Sequence, residues 1–219
     1  MLDQILSAST VVVATQGDLD GQLFPEEKRI IRSAVEDRRR EFVTARVCAR
    51  EALARLGLPG QQAIPAGPHG DPQWPAGIVG GITHCDGYRA AAVARTKDFA
   101  TIGIDAEPDE PLVDGVLDAI AGPDELRWVQ ERIRDTPSVS WDRLLFSIKE
   151  VVYKAWFPLT ARSLGFDDAT VVVDPVRQVF LARLHVVGFM LGGIERSSLS
   201  GRWLARDGFI VTAIALPAA

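Results

Sequence analysis

Residues 101–111 read TIGIDAEPDEP and combine an apolar strand pattern with two acids. Side chains alternate between the faces of a strand, so the apolar residues share one face: Ile102, Ile104 and Ala106. The other face carries Gly103, Asp105 and Glu107. Two like charges on one face cost stability unless a positive charge lies between them. The stretch therefore predicts either a solvated strand end or a cation site at the end of a buried strand.

Composition limits the classes of protein to which the chain can belong. Its 219 residues are 47% hydrophobic, enough for one large domain or two packed halves, and its net charge is -5. A nucleic-acid binder usually has a basic excess, so that class is disfavoured. No apolar run approaches the roughly 18 residues that a membrane span needs. Two cysteines and no visible secretory signal predict a reducing, cytoplasmic setting.

The hydrophobic periodicities predict an α+β fold of two similar halves, each with a small sheet packed on a long helix. Strands are predicted at 9–14, 78–83, 88–95, 101–107, 169–173, 178–186, 201–206 and 209–216. Helices are predicted at 25–56, 112–120, 122–134 and 139–157, and a Pro/Gly-rich loop at 60–77. The sequence EPDEPLVDG at 107–115 marks the predicted break, giving an N-terminal half 1–108 and a C-terminal half 109–219.

Basic residues are concentrated in the first long helix, beginning with RRRE at 38–41. Arg38 falls within the apolar stripe of this helix, between Val35 and Phe42, and Arg46 lies at its edge. A guanidinium on a packed face must snorkel, pair or meet an anion. Because its fork of donors matches phosphate oxygens, phosphate recognition is the alternative to snorkelling.

The second long helix contains SIKEVVYK at 147–154. At 100° per residue Glu150 lies opposite the apolar stripe, Lys154 lies on the same side, and Lys149 falls at the edge. One interpretation is an ordinary solvent-side Glu–Lys pair. Combined with Asp105 and Glu107, however, Glu150 would complete three carboxylates, which suit Mg²⁺ and its phosphate ligands. The lysines would then neutralise phosphate charge.

Residues 80–93 read GGITHCDGYRAAAV and place Thr83 and His84 at a strand end. Alone they are a weak signal, because a histidine at a strand end is more often structural. His69 and His185 lack the spacing for a shared zinc site. The chain has no P-loop, no dinucleotide-binding glycine motif, no nucleophile elbow and no H-E-x-x-H.

Three motifs together resemble the 4′-phosphopantetheinyl transferases: GGITHCDGYRAAAVA at 80–94, GIDAE at 103–107 and FSIKEVVYKAWFPLT at 146–160. The resemblance extends from about residue 25 to the end of the chain. It is to the larger, monomeric type that activates polyketide and nonribosomal peptide synthases, as in actinobacteria. The family implies two similar α+β halves with the active site in the cleft between them.

The resemblance also implies the site residues. The metal ligands would be Asp105, Glu107 and Glu150. The pyrophosphate contacts would be Lys149 and Lys154, with Asp105 beside them. Thr83 and His84 would hold the 3′-phosphate of coenzyme A. Basic contacts to the nucleotide end would come from Arg38 and Arg46.

Two positions depart from the family pattern. His69 stands about where related sequences often carry Lys or Arg, so coenzyme A binding through His69 would depend on pH near roughly 6.5, the ordinary pKa of histidine. Gly81 stands where many members have Ser before the Thr–His pair. One phosphate hydrogen bond would therefore be missing or would come from backbone N–H.

The implied reaction transfers the phosphopantetheinyl arm of coenzyme A, the co-substrate, to a serine of an acyl or peptidyl carrier protein. Mg²⁺, or Mn²⁺ in its place, would bridge the pyrophosphate oxygens. Glu150 would be the general base, directly or through a metal-bound water, and Lys154 would favour the leaving phosphate. Two alternatives remain open: a Mg²⁺-dependent nucleotide or coenzyme A pyrophosphohydrolase, and a non-enzymatic binder of an acidic partner.

Overall fold

The computed structural model describes residues 1–59 and 61–219, so Gly60, the first residue of the predicted 60–77 loop, lies outside it. The helices are α1 (Leu2–Ile5), α2 (Pro25–Ile30), α3 (Glu36–Arg55), α4 (Val116–Ile120), α5 (Pro123–Asp135) and α6 (Trp141–Thr160), with a short 3₁₀ turn at Phe166–Asp168. The strands are β1 (Val11–Thr15), β2 (Ile78–Cys85), β3 (Tyr88–Arg95), β4 (Phe99–Pro108), β5 (Ala169–Asp174), β6 (Val179–Leu184), β7 (Phe189–Leu191), β8 (Ile194–Arg196), β9 (Ser198–Arg206) and β10 (Phe209–Pro217). This mixture of helices and strands confirms the α+β class.

Two of the sheets each pack on one long helix. A three-stranded sheet, ordered β1-β3-β2, packs on α3, and a five-stranded sheet, ordered β4-β10-β9-β6-β5, packs on α6. β4 pairs with β10 along its whole length, from Phe99 with Pro217 to Pro108 with Phe209. The strand of the two acids therefore belongs to the five-stranded sheet that packs on α6.

The predicted helix 25–56 is wrong, because the chain breaks it into α2 and α3. Val35 is the residue before α3, has extended backbone angles and is 72% exposed, so it is not part of the buried stripe. The side chain of Arg39 holds the turn that connects the two helices: it donates to the carbonyl oxygens of Ala34 at 2.9 Å and of Arg32 at 2.8 Å. Both carbonyl groups lie in this connecting turn, outside α2 and α3.

The predicted faces of β4 are confirmed. Its apolar face is fully buried in a cluster with residues of α1, β3 and β10, to which it contributes Ile102, Ile104 and Ala106. β2 lies against the same strand, because a methyl group added at Gly81 would lie 3.0 Å from Cγ1 of Ile104. Gly81 therefore faces β4, a position in which a serine side chain would meet the neighbouring strand.

The other face of β4 receives helix α6 at very close range. A methyl group added at Gly103 would lie 2.8 Å from the carbonyl oxygen of Val151 and 3.0 Å from the nitrogen of Ala155. Glycine is the residue that permits such a backbone approach. This contact brings the polar side chains of α6 to the acids of β4.

Within the described part of the chain, no helix is both long and apolar enough to cross a membrane.

Candidate active site between strand β4 and helix α6

Asp105 is the centre of a polar cluster under α6. It is 3% exposed, and its Oδ1 accepts a hydrogen bond from Nζ of Lys154 at 2.5 Å. Its Oδ2 accepts from the hydroxyl of Ser147 at 2.7 Å. The hydroxyl of Thr83 reaches Oδ1 at 3.3 Å from β2. A buried carboxylate is therefore held by one charged and two neutral donors.

Glu107 is the second acid of β4 and has its own cation. Nη1 of Arg143 donates to its Oε2 at 3.1 Å, and the same guanidinium donates to the carbonyl oxygens of Glu110 and Pro111. Burial and the nearby charge of Asp105 raise the pKa of Glu107, while Arg143 opposes that rise. Sequence reasoning missed Arg143. Its position two helical turns before Glu150 places it on the same side of α6 and could have indicated it.

Glu150 is half-buried on α6 and lines a pocket. Burial raises its pKa, the Asp105 carboxylate adds to the rise, and Lys154 opposes it. The side chain lines a cavity of about 240 Å³ with Tyr153, Leu164 and Phe166. The Glu150 carboxylate therefore borders a largely apolar cavity and has a raised pKa, and both properties suit a general base.

A larger pocket, of about 630 Å³, lies beside the same helix face. One wall is formed by α6 and carries Glu150 and Lys154, and the other is formed by the 69–74 loop and β2. His69 is part of this lining, and its ring lies 4.8 Å from that of Phe157, centroid to centroid. The structure therefore places His69, Glu150 and Lys154 around one pocket.

Lys149, by contrast, is buried and held by hydrogen bonds in the protein interior. Its Nζ lies 2.9 Å from Oε2 of Glu125 and donates to the carbonyl oxygens of Phe166 at 2.9 Å and Ala169 at 3.2 Å. Both side chains of the ion pair are 3% exposed. The structure does not bring the Lys149 ammonium to the acids of β4.

The predicted 3′-phosphate pair, Thr83 and His84, is split between interior and surface. Thr83 is 2% exposed, and its hydroxyl accepts from the backbone N–H of Ala106 at 3.0 Å, so it positions the β4 acids. His84 is partly exposed, and Nη1 of Arg38 donates to its ring. Burial first, and then the charge of Arg38, lower the pKa of His84 to about 4. Arg38 and His84 therefore form a surface site of one cation and one neutral ring.

Arg46 lies in the protein interior, between α3 and α2. The residue is 4% exposed, and its Nε is 3.8 Å from Oε1 of the buried Glu27. Its guanidinium also covers the ring of Phe42 at 4.3 Å. Burial lowers its pKa to about 10, against the opposing charge of Glu27. In this structure Arg46 stabilises the helix packing, and Arg38 is the arginine at the surface.

The three predicted metal ligands lie on neighbouring elements but do not converge. Among residues 1–59 and 61–219, no group of three or more acidic, histidine or cysteine side chains is gathered closely enough to hold a metal ion. The charge of Asp105 nevertheless raises the pKa of both Glu107 and Glu150, so all three lie within electrostatic reach. Their oxygens are the donors that Mg²⁺ prefers, so the donor set fits such an ion once Lys154 leaves Asp105.

Two family models together match most of the chain. The family model described as 4'-phosphopantetheinyl transferase N-terminal domain matches residues 26–94, and that of the 4'-phosphopantetheinyl transferase superfamily matches residues 101–212. The second match includes the acids of β4 and all of α6, and the gap between the two matches runs from the end of β3 into the first two residues of β4.

Named relatives show the same family. The chain is 53% identical over 196 residues to the 4'-phosphopantetheinyl transferase Svp of Streptomyces mobaraensis, covering 90% of this chain and 79% of the relative. It is 48% identical to Npt of Nocardia iowensis, covering 90% of each chain. It is 45% identical to PptT of Mycobacterium tuberculosis, covering 88% and 85%. The chain belongs to the 4'-phosphopantetheinyl transferase superfamily.

Proposed function

We propose that the chain transfers the 4′-phosphopantetheine arm of coenzyme A to a serine of acyl or peptidyl carrier protein domains. The observation that carries this proposal is the pocket wall formed by α6, where Glu150 and Lys154 lie beside the buried carboxylate of Asp105. The family supports the reaction class, and the named relatives are transferases of this kind.

Coenzyme A would lie along three groups of this chain. Its 3′-phosphate would meet Arg38 and His84 at the surface. Lys154 would contact the pyrophosphate, because its side chain is 31% exposed and its Nζ already lies beside the acid cluster. The pantetheine arm would enter the 240 Å³ cavity, whose apolar lining includes Val152, Leu164 and Phe166. Lys149 has no part in this proposal, because its ammonium is held by Glu125.

The chemistry requires one proton transfer and one exchange of phosphorus–oxygen bonds. Glu150 would take the proton of the carrier serine as its oxygen attacks the phosphorus that bears the pantetheine arm. The bond between this phosphorus and the bridging oxygen breaks, and adenosine 3′,5′-bisphosphate leaves with the electron pair. Lys154 would offset the charge that develops on the leaving phosphate. The apolar cavity would exclude water, which would otherwise compete with the serine.

A divalent cation, Mg²⁺ or Mn²⁺, held by Asp105, Glu107 and Glu150 would neutralise pyrophosphate charge. Asp105 would exchange Lys154 for this ion, which leaves the lysine free for phosphate. Arg143 would keep Glu107 oriented, since its guanidinium is fixed by the carbonyl groups of Glu110 and Pro111. Removal of divalent ions by a chelator should therefore abolish transfer, and added Mg²⁺ should restore it.

The carriers would be domains of polyketide or nonribosomal peptide synthases, and the protein would act as a cytoplasmic monomer with two halves flanking the pocket. The net charge of -5 argues against nucleic acid as a partner.

The experiment is to incubate the protein with Mg²⁺, coenzyme A and an apo carrier domain, and to weigh the carrier by mass spectrometry. The proposal predicts a gain of one phosphopantetheine unit. Consumption of coenzyme A without a change in carrier mass would instead show a hydrolase. A stable complex with neither change would show a binding protein.

A further inference from the structure

Glu41 lies against the surface site of Arg38 and His84 without belonging to the reaction described above. It is on α3, one turn after Arg38, and its Oε2 lies 3.4 Å from Nη1 of that arginine. The same oxygen lies 3.3 Å from Nδ1 of His84 on β2. The Glu41 side chain is 22% exposed, so this contact is partly shielded from water. One carboxylate thus contacts both groups of the site.

The charge balance of the site makes Glu41 important. His84 is neutral near pH 7, because its pKa is about 4, so Arg38 is the cation of the pair. The other charged groups that act on His84 are already paired: Lys154 with Asp105 at 2.5 Å, and Arg89 with Asp18 at 3.1 Å. Glu41 therefore neutralises the charge that an incoming phosphate would use.

We propose that Glu41 is a displaceable counter-charge that weakens binding of the coenzyme A 3′-phosphate and so sets the affinity for the whole coenzyme. This inference rests on the proposed function, in which Arg38 and His84 receive that phosphate. A phosphate on these two groups lies within a few ångströms of the Glu41 carboxylate, and like charges at that range repel. When the phosphate binds, either the Glu41 side chain turns away or the two negative charges remain close together. Both outcomes cost binding free energy.

The substitution Glu41→Gln separates charge from shape. Glutamine keeps an oxygen that can accept from Arg38 and from the His84 ring, so the two groups stay in place while the negative charge is removed. Because the site is partly exposed, solvent reduces the effect, and we expect coenzyme A to bind about three- to tenfold more tightly. The gain should shrink as salt is raised, since screening weakens the repulsion.

The test is to measure the affinity of the whole protein for two probes, coenzyme A and 3′-dephospho-coenzyme A, by isothermal titration calorimetry. Glu41→Gln should tighten binding of the first and leave the second unchanged. The matched control is Glu51→Gln, which removes the same charge from the same helix, where Glu51 is 51% exposed and pairs with Arg55. This control should leave both affinities at the wild-type value.

Three results would overturn the proposal. Weaker coenzyme A binding by Glu41→Gln would show that the carboxylate only holds Arg38 and His84 in place. An equal gain for both probes would show a general charge effect. Equal binding of both probes by the wild-type protein would remove the 3′-phosphate from this site. None of these results bears on carrier modification, whose failure alone would refute the proposed transferase activity.

Discussion

Helix α6 carries two lysines five residues apart, and their surroundings differ sharply. Lys149 pairs with Glu125 at 2.9 Å, both side chains are 3% exposed, and two carbonyl oxygens complete its hydrogen bonds. Lys154 pairs with Asp105 at 2.5 Å, but its side chain is 31% exposed and borders the large pocket. The first ammonium is fully committed to the protein, whereas the second can exchange its partner.

An ion pair in a motif does not by itself indicate chemistry. A buried pair with every donor used contributes to one folded arrangement, and breaking it leaves an uncompensated charge. A pair at a pocket wall can open when an anion arrives, because the phosphate replaces the carboxylate as partner. The buried side of α6 should therefore govern stability, and the pocket side should govern turnover.

The largest effect is expected on the pocket side, at Glu150. Glu150→Gln keeps the shape of the side chain but removes the base, so turnover should fall by about 10²- to 10⁴-fold. Affinity for coenzyme A should change little, since Lys154, Arg38 and His84 remain. Steady-state carrier modification and coenzyme A titration measure the two quantities. Turnover near the wild-type value would remove Glu150 from the mechanism.

The next effect is expected on the buried side. Lys149→Met keeps the approximate length of the side chain but leaves the buried Glu125 carboxylate without its cation. The free energy of unfolding should therefore fall by about 3 kcal/mol. The loss stays at the lower end of the usual range, because the backbone N–H groups of Gly122 and Val171 still donate to Glu125. Urea unfolding measures it.

A double variant provides the control for Lys149. Adding Glu125→Gln to Lys149→Met removes the uncompensated charge of the Glu125 carboxylate, so the double variant should be more stable than Lys149→Met alone. Losses that simply add would show that the two side chains are not coupled, and the comparison between the two lysines would fail.

The smallest effect concerns pH and His84. Its folded pKa of about 4 lies below the ordinary value near 6.5, so the unfolded chain binds the proton first as pH falls. The stability that neutral His84 contributes is complete above about pH 6.5 and is lost as pH falls towards 4. Between pH 7 and pH 5, the His84 contribution to the loss of unfolding free energy should amount to about 1 kcal/mol after solvent screening.

His84→Gln isolates this contribution. The variant should lose about 1 kcal/mol less than the wild-type protein between pH 7 and pH 5, because its amide does not titrate in this range. Urea unfolding of both proteins at the two pH values measures the difference. Identical slopes of stability against pH would show that His84 is not held neutral by its burial and by Arg38.

Local pattern was sufficient to predict much of this site. Alternation along β4 separated Ile104 from Asp105, and helical spacing placed Glu150 and Lys154 on one side of α6. These features depend on residues close in sequence, where periodicity fixes direction. The predicted strands 88–95 and 101–107 were confirmed for the same reason.

The remaining features depend on contacts between distant segments. Spacing placed Lys149 at the edge of the α6 stripe but could not show that Glu125 of α5 covers that edge. Periodicity also ran through the break before α3, because the bonds from Arg39 that hold the connecting turn exist only in the folded chain. Likewise, the pairing of β4 with β10 joins segments about 100 residues apart, which no local pattern reports.

The most direct test of the account is carrier modification by Lys154→Met, followed by intact mass of the apo carrier, with urea unfolding of the same sample. The account predicts a fall in transfer rate of about 100-fold or more, because the pyrophosphate loses its cation, with a smaller loss of stability than Lys149→Met. Transfer at the wild-type rate by Lys154→Met would contradict the assignment of chemistry to the pocket side of α6.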